Sequence, residues 1–304
     1  MIIAAQSPIN GQMNDYTGNP LFTAALVFLS GLIVIGLVVI FHSTSREAFL
    51  SIPSLLKSGQ MQWWHLTGGL SGALFVTVQS ATVAAIGVAV FTVTSVAGQT
   101  AGALLTDKFG IGPAGKQPIT FIRLISALLG VSGVVVSVSG KFNDASFAFG
   151  GVLLTLAVAI IVATQPAING QIASRTGIAT GATLVNFIGG LIFIIIANVI
   201  QYVVNPQPLV MPPLPWENPV IWLGGPFGVI FVLISAAVAK PLGIFLFTLT
   251  ALVGQLSSAI LWDVVFPTEV TDLNIQLFIG LAITVGSVLL ASGGPNRAKS
   301  AARQ

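Results

Sequence analysis

The side chains able to engage another molecule are, in this chain, mostly amides. Gln6-Ser-Pro-Ile-Asn-Gly-Gln12 places Gln6 and Asn10 four residues apart, hence on one helical face, and Gln165-Pro-Ala-Ile-Asn-Gly-Gln171 does the same with Gln165 and Asn169. A second stripe, Thr92, Ser95 and Gln99, has the helical spacings three and four; Thr248 and Gln255 repeat it with Ala251 between them. An amide carries a carbonyl acceptor and two N–H donors, which suits recognition of a neutral or zwitterionic solute better than proton transfer or nucleophilic attack. Pro8 and Pro166 lie inside the amide runs, where a proline frees a carbonyl one turn earlier. Two readings stay open there: a polar break facing a cavity, or a helix end capped by Asn-Gly. For Gln99 and Gln255 the alternatives are substrate lining and hydrogen-bonded glue between helices. Asn186 joins the candidates; for Phe91 and Phe247 the readings are stacking on a ligand and, as is usual for phenylalanine, core or lipid-facing packing.

Catalytic chemistry finds little support. There is no cysteine, and His42 and His65 are isolated, so zinc has no ligand set. Gly69-Leu-Ser-Gly72 has the form of a membrane serine protease motif, but His65 lies six residues before Ser71 on the same expected helix and gives the serine no base. No phosphate-binding loop of the form G-x-x-x-x-G-K-[ST] occurs. The chain is expected to be no enzyme and to need no cofactor.

The elements that must carry these amides follow from composition. Only 6% of the 304 residues are charged and 55% are hydrophobic, too little charge for a water-covered surface, where about 25% is usual. A net charge of +3 is too thin for a nucleic-acid footprint. A bilayer-spanning helix needs about 20 apolar residues. Nine such stretches are expected, at 20–42, 64–83, 86–106, 119–140, 146–169, 177–202, 219–239, 241–262 and 275–293, and Met1 to Gln12 is a tenth, shorter one. The fold class is all-α, a polytopic bundle of ten spans. Alternating the loops leaves Lys141 as the one basic residue on one side and puts every other Lys and Arg opposite. The positive-inside rule then places both termini in the cytoplasm. Trp63, Trp64, Trp216, Trp222 and Trp262 fit interfacial belts. Asp107 and Asp263 are expected at solvated span ends.

The chain also repeats itself. The amide runs are separated by 159 residues, and the same offset pairs Phe28 with Phe187 and Gly31-Leu-Ile33 with Gly190-Leu-Ile192. Further on the offset is 156, pairing Gly68-Gly69 and Gly72 with Gly224-Gly225 and Gly228, Gly98-Gln99 with Gly254-Gln255, and Asp107 with Asp263. A three-residue loop difference between 43–63 and 202–219 accounts for the change. The expected units are an N-terminal five-span repeat at 1–141, a C-terminal one at 142–294 and a basic cytoplasmic tail at 295–304. Five spans is an odd number, so the second repeat is inverted relative to the first, an architecture recurrent in secondary transporters. Asn186 breaks the symmetry, because its mate is Val27. Five residues precede Gln6 where about 20 apolar residues precede Gln165, so the first helix is expected to be truncated by a start codon placed downstream. The glycine pairs Gly68/Gly72, Gly224/Gly228 and Gly98/Gly102 have the spacing that lets helices touch.

The duplicated unit, with its Gln-x-x-Ile-Asn-Gly-Gln opening and Gly-Gln…Asp helix, resembles the drug/metabolite transporter (DMT) superfamily. Within it the chain is similar to the YdcZ-type bacterial inner-membrane family in fused two-repeat form. The resemblance implies a carrier in the bacterial inner membrane, an exporter of small metabolites or drugs, and supplies no ligand. The expected function is export of a small neutral or zwitterionic metabolite by alternating access. Proton-coupled efflux of amphiphilic drugs and a channel or scaffold subunit are the alternatives. Expected partners are a small-molecule substrate and the lipid bilayer, with no nucleic acid; a homodimer stays open.

Overall fold

The computed structural model describes residues 2–139, 148–238, 251, 254 and 275–292. Among the described residues all regular structure is helical. The helices are α1 (Ile2–Thr17), α2 (Pro20–Phe41), α3 (Ser43–Lys57), α4 (Gly68–Ile86), α5 (Val88–Phe109), α6 (Phe121–Ser139), α7 (Phe149–Val162), α8 (Gln165–Thr176), α9 (Ala179–Val204), α10 (Gly224–Val238) and α11 (Ile275–Ser292). Short 3₁₀ turns at Trp63–Thr67 and Val220–Leu223 lead into α4 and α10. Among the described residues, Pro20–Phe41, Trp63–Ile86, Phe149–Thr176, Ala179–Val204 and Val220–Val238 are long and apolar enough to cross a bilayer, and Phe121–Gly133 and Ile275–Leu290 are shorter apolar helices. The expected span at 241–262 lies outside the described residues except for Ala251 and Gly254, both helical.

Local sequence explains where the chain turns. Asn19 caps α2, its Oδ1 accepting from the N–H groups of Leu21 and Phe22 at 3.0 and 3.2 Å, and Pro20 follows in the first turn, where a missing N–H costs nothing. Both amide-bearing helices stop at a left-handed glycine, Gly18 (φ +62°) after α1 and Gly177 (φ +80°) after α8. Gly87 alone joins α4 to α5, with φ +79° and ψ 157°, a region that side chains forbid.

Three boundaries differ from expectation. The loop expected at 43–63 contains α3, which buries Ser45, Ala48 and Ile52 along one face and turns Arg46, Glu47 and Lys57 outward. A 15-residue amphipathic stripe was masked by the polarity of the segment. The expected span 146–169 overlaps the candidate crossing Phe149–Thr176 but is interrupted there: α7 ends at Val162 and α8 begins at Gln165, because Pro166 has no N–H to offer the Val162 carbonyl. Neither Asn-Gly pair ends a helix, since α1 runs to Thr17 and α8 to Thr176.

Packing centres on α2 and α9. Phe28 and Phe187 meet with ring centroids 5.1 Å apart. Each ring also lies over a glycine of the opposite helix: a Cβ on Gly31 would overlap Phe187, and one on Gly190 would overlap Phe28. Ile35 and Ile194, and Val76 and Val232, join the same buried cluster. Gly69 of α4 leaves room for the backbone of α9 at Asn186 and Gly190, and Gly225 of α10 leaves room for that of α2 at Val27 and Gly31. Elsewhere Gly98 and Gly102 of α5 touch α7 at Leu156, Ala159 and Ile160 and its capping residue Ala163, and Gly133 of α6 touches α11 at Gly280 and Thr284. In lipid, where helices gain little by hiding apolar surface from one another, such backbone approach supplies the cohesion.

Asp107 departs from the solvated position expected of it. It is buried, its Oδ2 2.9 Å from the Arg123 guanidinium. The loop after α5 folds back, with the Gln117 N–H donating to the Asp107 carbonyl at 2.9 Å, and brings Arg123 at the start of α6 over the carboxylate.

Two measurements check this packing. Gly190→Ala should lower thermal stability in detergent by about 1–3 kcal/mol through overpacking against Phe28, while Gly36→Ala, with open space around it, should be neutral. Arg123→Met should cost about 3–5 kcal/mol by stranding the Asp107 charge, and the double variant Asp107→Leu/Arg123→Met should recover most of that loss.

Candidate functional site: an amide-lined cavity between the halves

A cavity of about 70 Å³ lies where the two halves of the chain meet. Its polar lining is Gln6 from α1, Gln99 from α5, Gln165 from α8 and Asn186 from α9. Phe28, Phe75, Phe187 and Phe231 form aromatic walls, and Gly72, Gly225 and Gly228 let the backbones of α4 and α10 approach. Among the described lining residues none is ionisable.

The amides are held by hydrogen bonds within each half and by one that crosses between them, from Gln6 to Gly224. Asn186 Oδ1 accepts from Gln165 Nε2 at 2.9 Å and from Asn169 Nδ2 at 3.1 Å. The break between α7 and α8 starts the latter at Gln165, so that Gln165 and Asn169, one turn apart, both face α9. In the other half no amide stands at the mate of Asn186, and Gln6 Nε2 donates instead to the Gly224 carbonyl at 2.9 Å. Asn10 Nδ2 donates to Gln79 Oε1 at 2.7 Å, and Gln79 Nε2 to Ser7 Oγ at 2.6 Å.

Glycines receive these side chains in a matched way. A Cβ on Gly68 would overlap Asn169 Oδ1, and one on Gly224 would overlap Asn10 Oδ1; Gly72 and Gly228 stand in the same relation to Gln165 and Gln6, at closer and looser contact. Each amide run therefore packs against the glycine run of the opposite half. Both Asn Oδ1 atoms are buried without a hydrogen-bond partner, resting on glycine Cα groups, a contact that only a weak C–H donor can relieve.

The structure brings Gln6, Gln99, Gln165 and Asn186 to one cavity. Asn10 and Asn169 lie one turn behind it, fully buried, and Thr92 is buried without lining it. Thr248 and Gln255 lie outside the described residues, as does Phe247. Phe91 does not stack into the cavity; it is core, against Phe75 with centroids 5.6 Å apart. Gln79, Phe28 and Phe187 went unmarked as site residues. Gln79 was legible as an amide deep in an apolar span, and the two phenylalanines as a pair preserved by the repeat.

His65 and Ser71 do not form a base–nucleophile pair. His65 Nδ1 accepts from the Gln62 N–H at 3.1 Å, and Ser71 Oγ donates to the Gly68 carbonyl at 2.9 Å.

Removing Asn186 tests the network. Asn186→Val strands the donors of Gln165 and Asn169 and should cost about 1–3 kcal/mol in thermal stability; the reverse change at its mate, Val27→Asn, should not restore it.

Comparison with known proteins gives the architecture a context. A search of curated proteins finds no match. A solved structure described only as "Crystal structure of protein" superposes with a TM-score of 0.61 at 19% identity, covering 96% of this chain and 93% of that one; at that identity the likeness concerns the fold. The family model described as "Putative inner membrane exporter, YdcZ" matches residues 1–136 and again 150–290, one match in each half. With nearly the whole chain accounted for by these two matches, the protein belongs to the YdcZ inner-membrane exporter family.

Proposed function

We propose that the protein is a secondary carrier that exports a small neutral or zwitterionic metabolite by alternating access, built from two inverted five-span repeats with both termini in the cytoplasm. The observation that carries this reading is the cavity itself, lined by amides from both halves and free of ionisable groups among its described residues. The paired contacts support the inversion: Gln6 and Asn10 face Gly228 and Gly224, while Gln165 and Asn169 face Gly72 and Gly68. A site on such a pseudo-two-fold axis can be opened to either face by rocking one bundle against the other.

Hydrogen bonds join the halves toward the helix ends as well. Asn19 Nδ2 donates to Gln201 Oε1 at 3.2 Å, and Asn198 Nδ2 to the Leu21 carbonyl at 3.0 Å. Near the other ends of these helices Gln171 Nε2 donates to the Ile111 carbonyl at 2.9 Å and Arg175 Nε to the Gln60 carbonyl at 2.6 Å. In the alternating cycle one set parts while the other holds. Among the described residues Gln99 makes no side-chain hydrogen bond yet lines the cavity, so it is the residue to alter without unfolding the site.

Purified protein in vesicles loaded with a bacterial metabolite extract should release a specific solute saturably and exchange it for external solute, read by mass spectrometry. Gln99→Ala should reduce that exchange about tenfold or more, equivalent to one lost hydrogen bond. Single-channel conductance in a planar bilayer, or unsaturable release, would overturn the carrier reading. Reporters inserted at Gly177 and within 205–218 should label opposite sides of the membrane.

A further inference from the structure

The bonds the amides make with one another determine what the cavity leaves open. Gln6 Nε2 is directed at the Gly224 carbonyl, which can only accept, so the orientation of that amide is settled and its Oε1 is left over. Gln6 is buried as a residue, but its Oε1 is not sealed within protein and opens on the cavity the residue lines. Gln165 donates its Nε2 to Asn186 Oδ1, and its Oε1, not sealed within protein, has no partner among the described residues; were both amides turned over, the pair would still leave one acceptor and one donor. Asn186 spends its oxygen on two donors and keeps its Nδ2 hydrogens. Gln99 has no side-chain partner among the described residues and lines the cavity with its amide. The cavity thus presents carbonyl acceptors and N–H donors together, between phenylalanine walls, with no formal charge among its described lining residues.

An occupant covers these groups from water. One without an N–H or O–H strands the Gln6 and Gln165 carbonyls, and one without an acceptor strands the Asn186 and Gln99 hydrogens. A site built to hydrogen-bond a donor rejects an otherwise equal analogue lacking it far more strongly than an apolar pocket rejects a change of size. A carboxylate brings acceptors only, together with a charge that nothing described in the cavity neutralises. The 70 Å³ volume, about half that of an apolar cavity known to take up benzene, gives room for the polar end of an occupant rather than the whole of it.

We infer that the polar end of the transported molecule is an uncharged donor–acceptor group of the carboxamide, urea or alcohol class, and that carboxylates and fully substituted amides are excluded. This rests on the carrier reading of the same cavity and narrows it, removing the zwitterions.

The test uses the intact chain in detergent and three small probes, isobutyramide, its isomer N,N-dimethylacetamide, and isobutyrate. The first two share formula and carbonyl and differ in the N–H donor; the third is the anionic analogue of the first. Saturation-transfer NMR and thermal shift should show saturable isobutyramide binding about tenfold or more tighter than either of the others, the factor one unpaired buried group removes. Gln99→Met should weaken it by a similar factor without lowering the unliganded Tm, and Gln6→Met/Gln165→Met should abolish it. Equal or tighter binding of isobutyrate or N,N-dimethylacetamide, or saturable binding of none of the three, overturns the inference. The carrier reading falls by a different result, the absence of saturable exchange in vesicles, which a binding preference does not affect.

Discussion

The interlock of α2 with α9, ring over glycine in both directions, is the contact on which the rest of the arrangement depends. Phe28 occupies the space that a side chain at Gly190 would fill, and Phe187 the space at Gly31. Two helices crossing so closely leave their backbones within reach of α4 and α10, where Gly69 and Gly225 complete the approach. In hydrocarbon there is no general drive to cluster apolar surface, so fit at short range must do what burial does in water. A single added methyl group at either glycine pushes apart the pair that brings both halves of the cavity lining together.

That closeness also governs the polar groups. An amide in a bilayer is costly unless something receives it, and here helices are near enough for amides to find partners across the interface. Gln165 and Asn169 share one oxygen on Asn186, Asn10 is answered by Gln79, and Gln6 reaches a backbone carbonyl. The network nevertheless stops short of full satisfaction. Atoms with access to the cavity remain unpaired, and two sealed ones, the Oδ1 atoms of Asn10 and Asn169, rest on glycines. The same residues thereby tie neighbouring helices together and leave polar atoms at the cavity.

The two halves are alike without being equivalent. Both amide helices end at left-handed glycines, but α1 passes through Pro8 unbroken, whereas Pro166 separates α7 from α8. Asn186 faces one amide pair; Val27, its mate, gives the other none. The difference sets the orientation of the two cavity glutamines by different partners, so whatever occupies the cavity meets a polar side and a less polar one.

By itself the sequence determined the class of structure and the kind of chemistry. Scarcity of charge required a membrane protein, and unbroken apolar stretches of about 20 residues made it helical, because a spanning helix satisfies its own backbone. The repeated amide and glycine runs marked both the duplication and the residues Gln6, Gln99 and Gln165 as worth attention, and Asn186 stood out as an amide the repeat does not share. Which of them share a space was decided only by the tertiary structure. Periodicity assigns a residue to a helical face but not to the helix opposite, so it could not show that each amide run meets the other half's glycines. Nor could it separate Gln99, which lines the cavity, from Thr92 seven residues before it, which is packed away, or find α3 in a segment whose polarity resembled a loop. Asp107 is the clearest case. Its charge suggested water, and only the fold of the following loop, by delivering Arg123, made its burial tolerable.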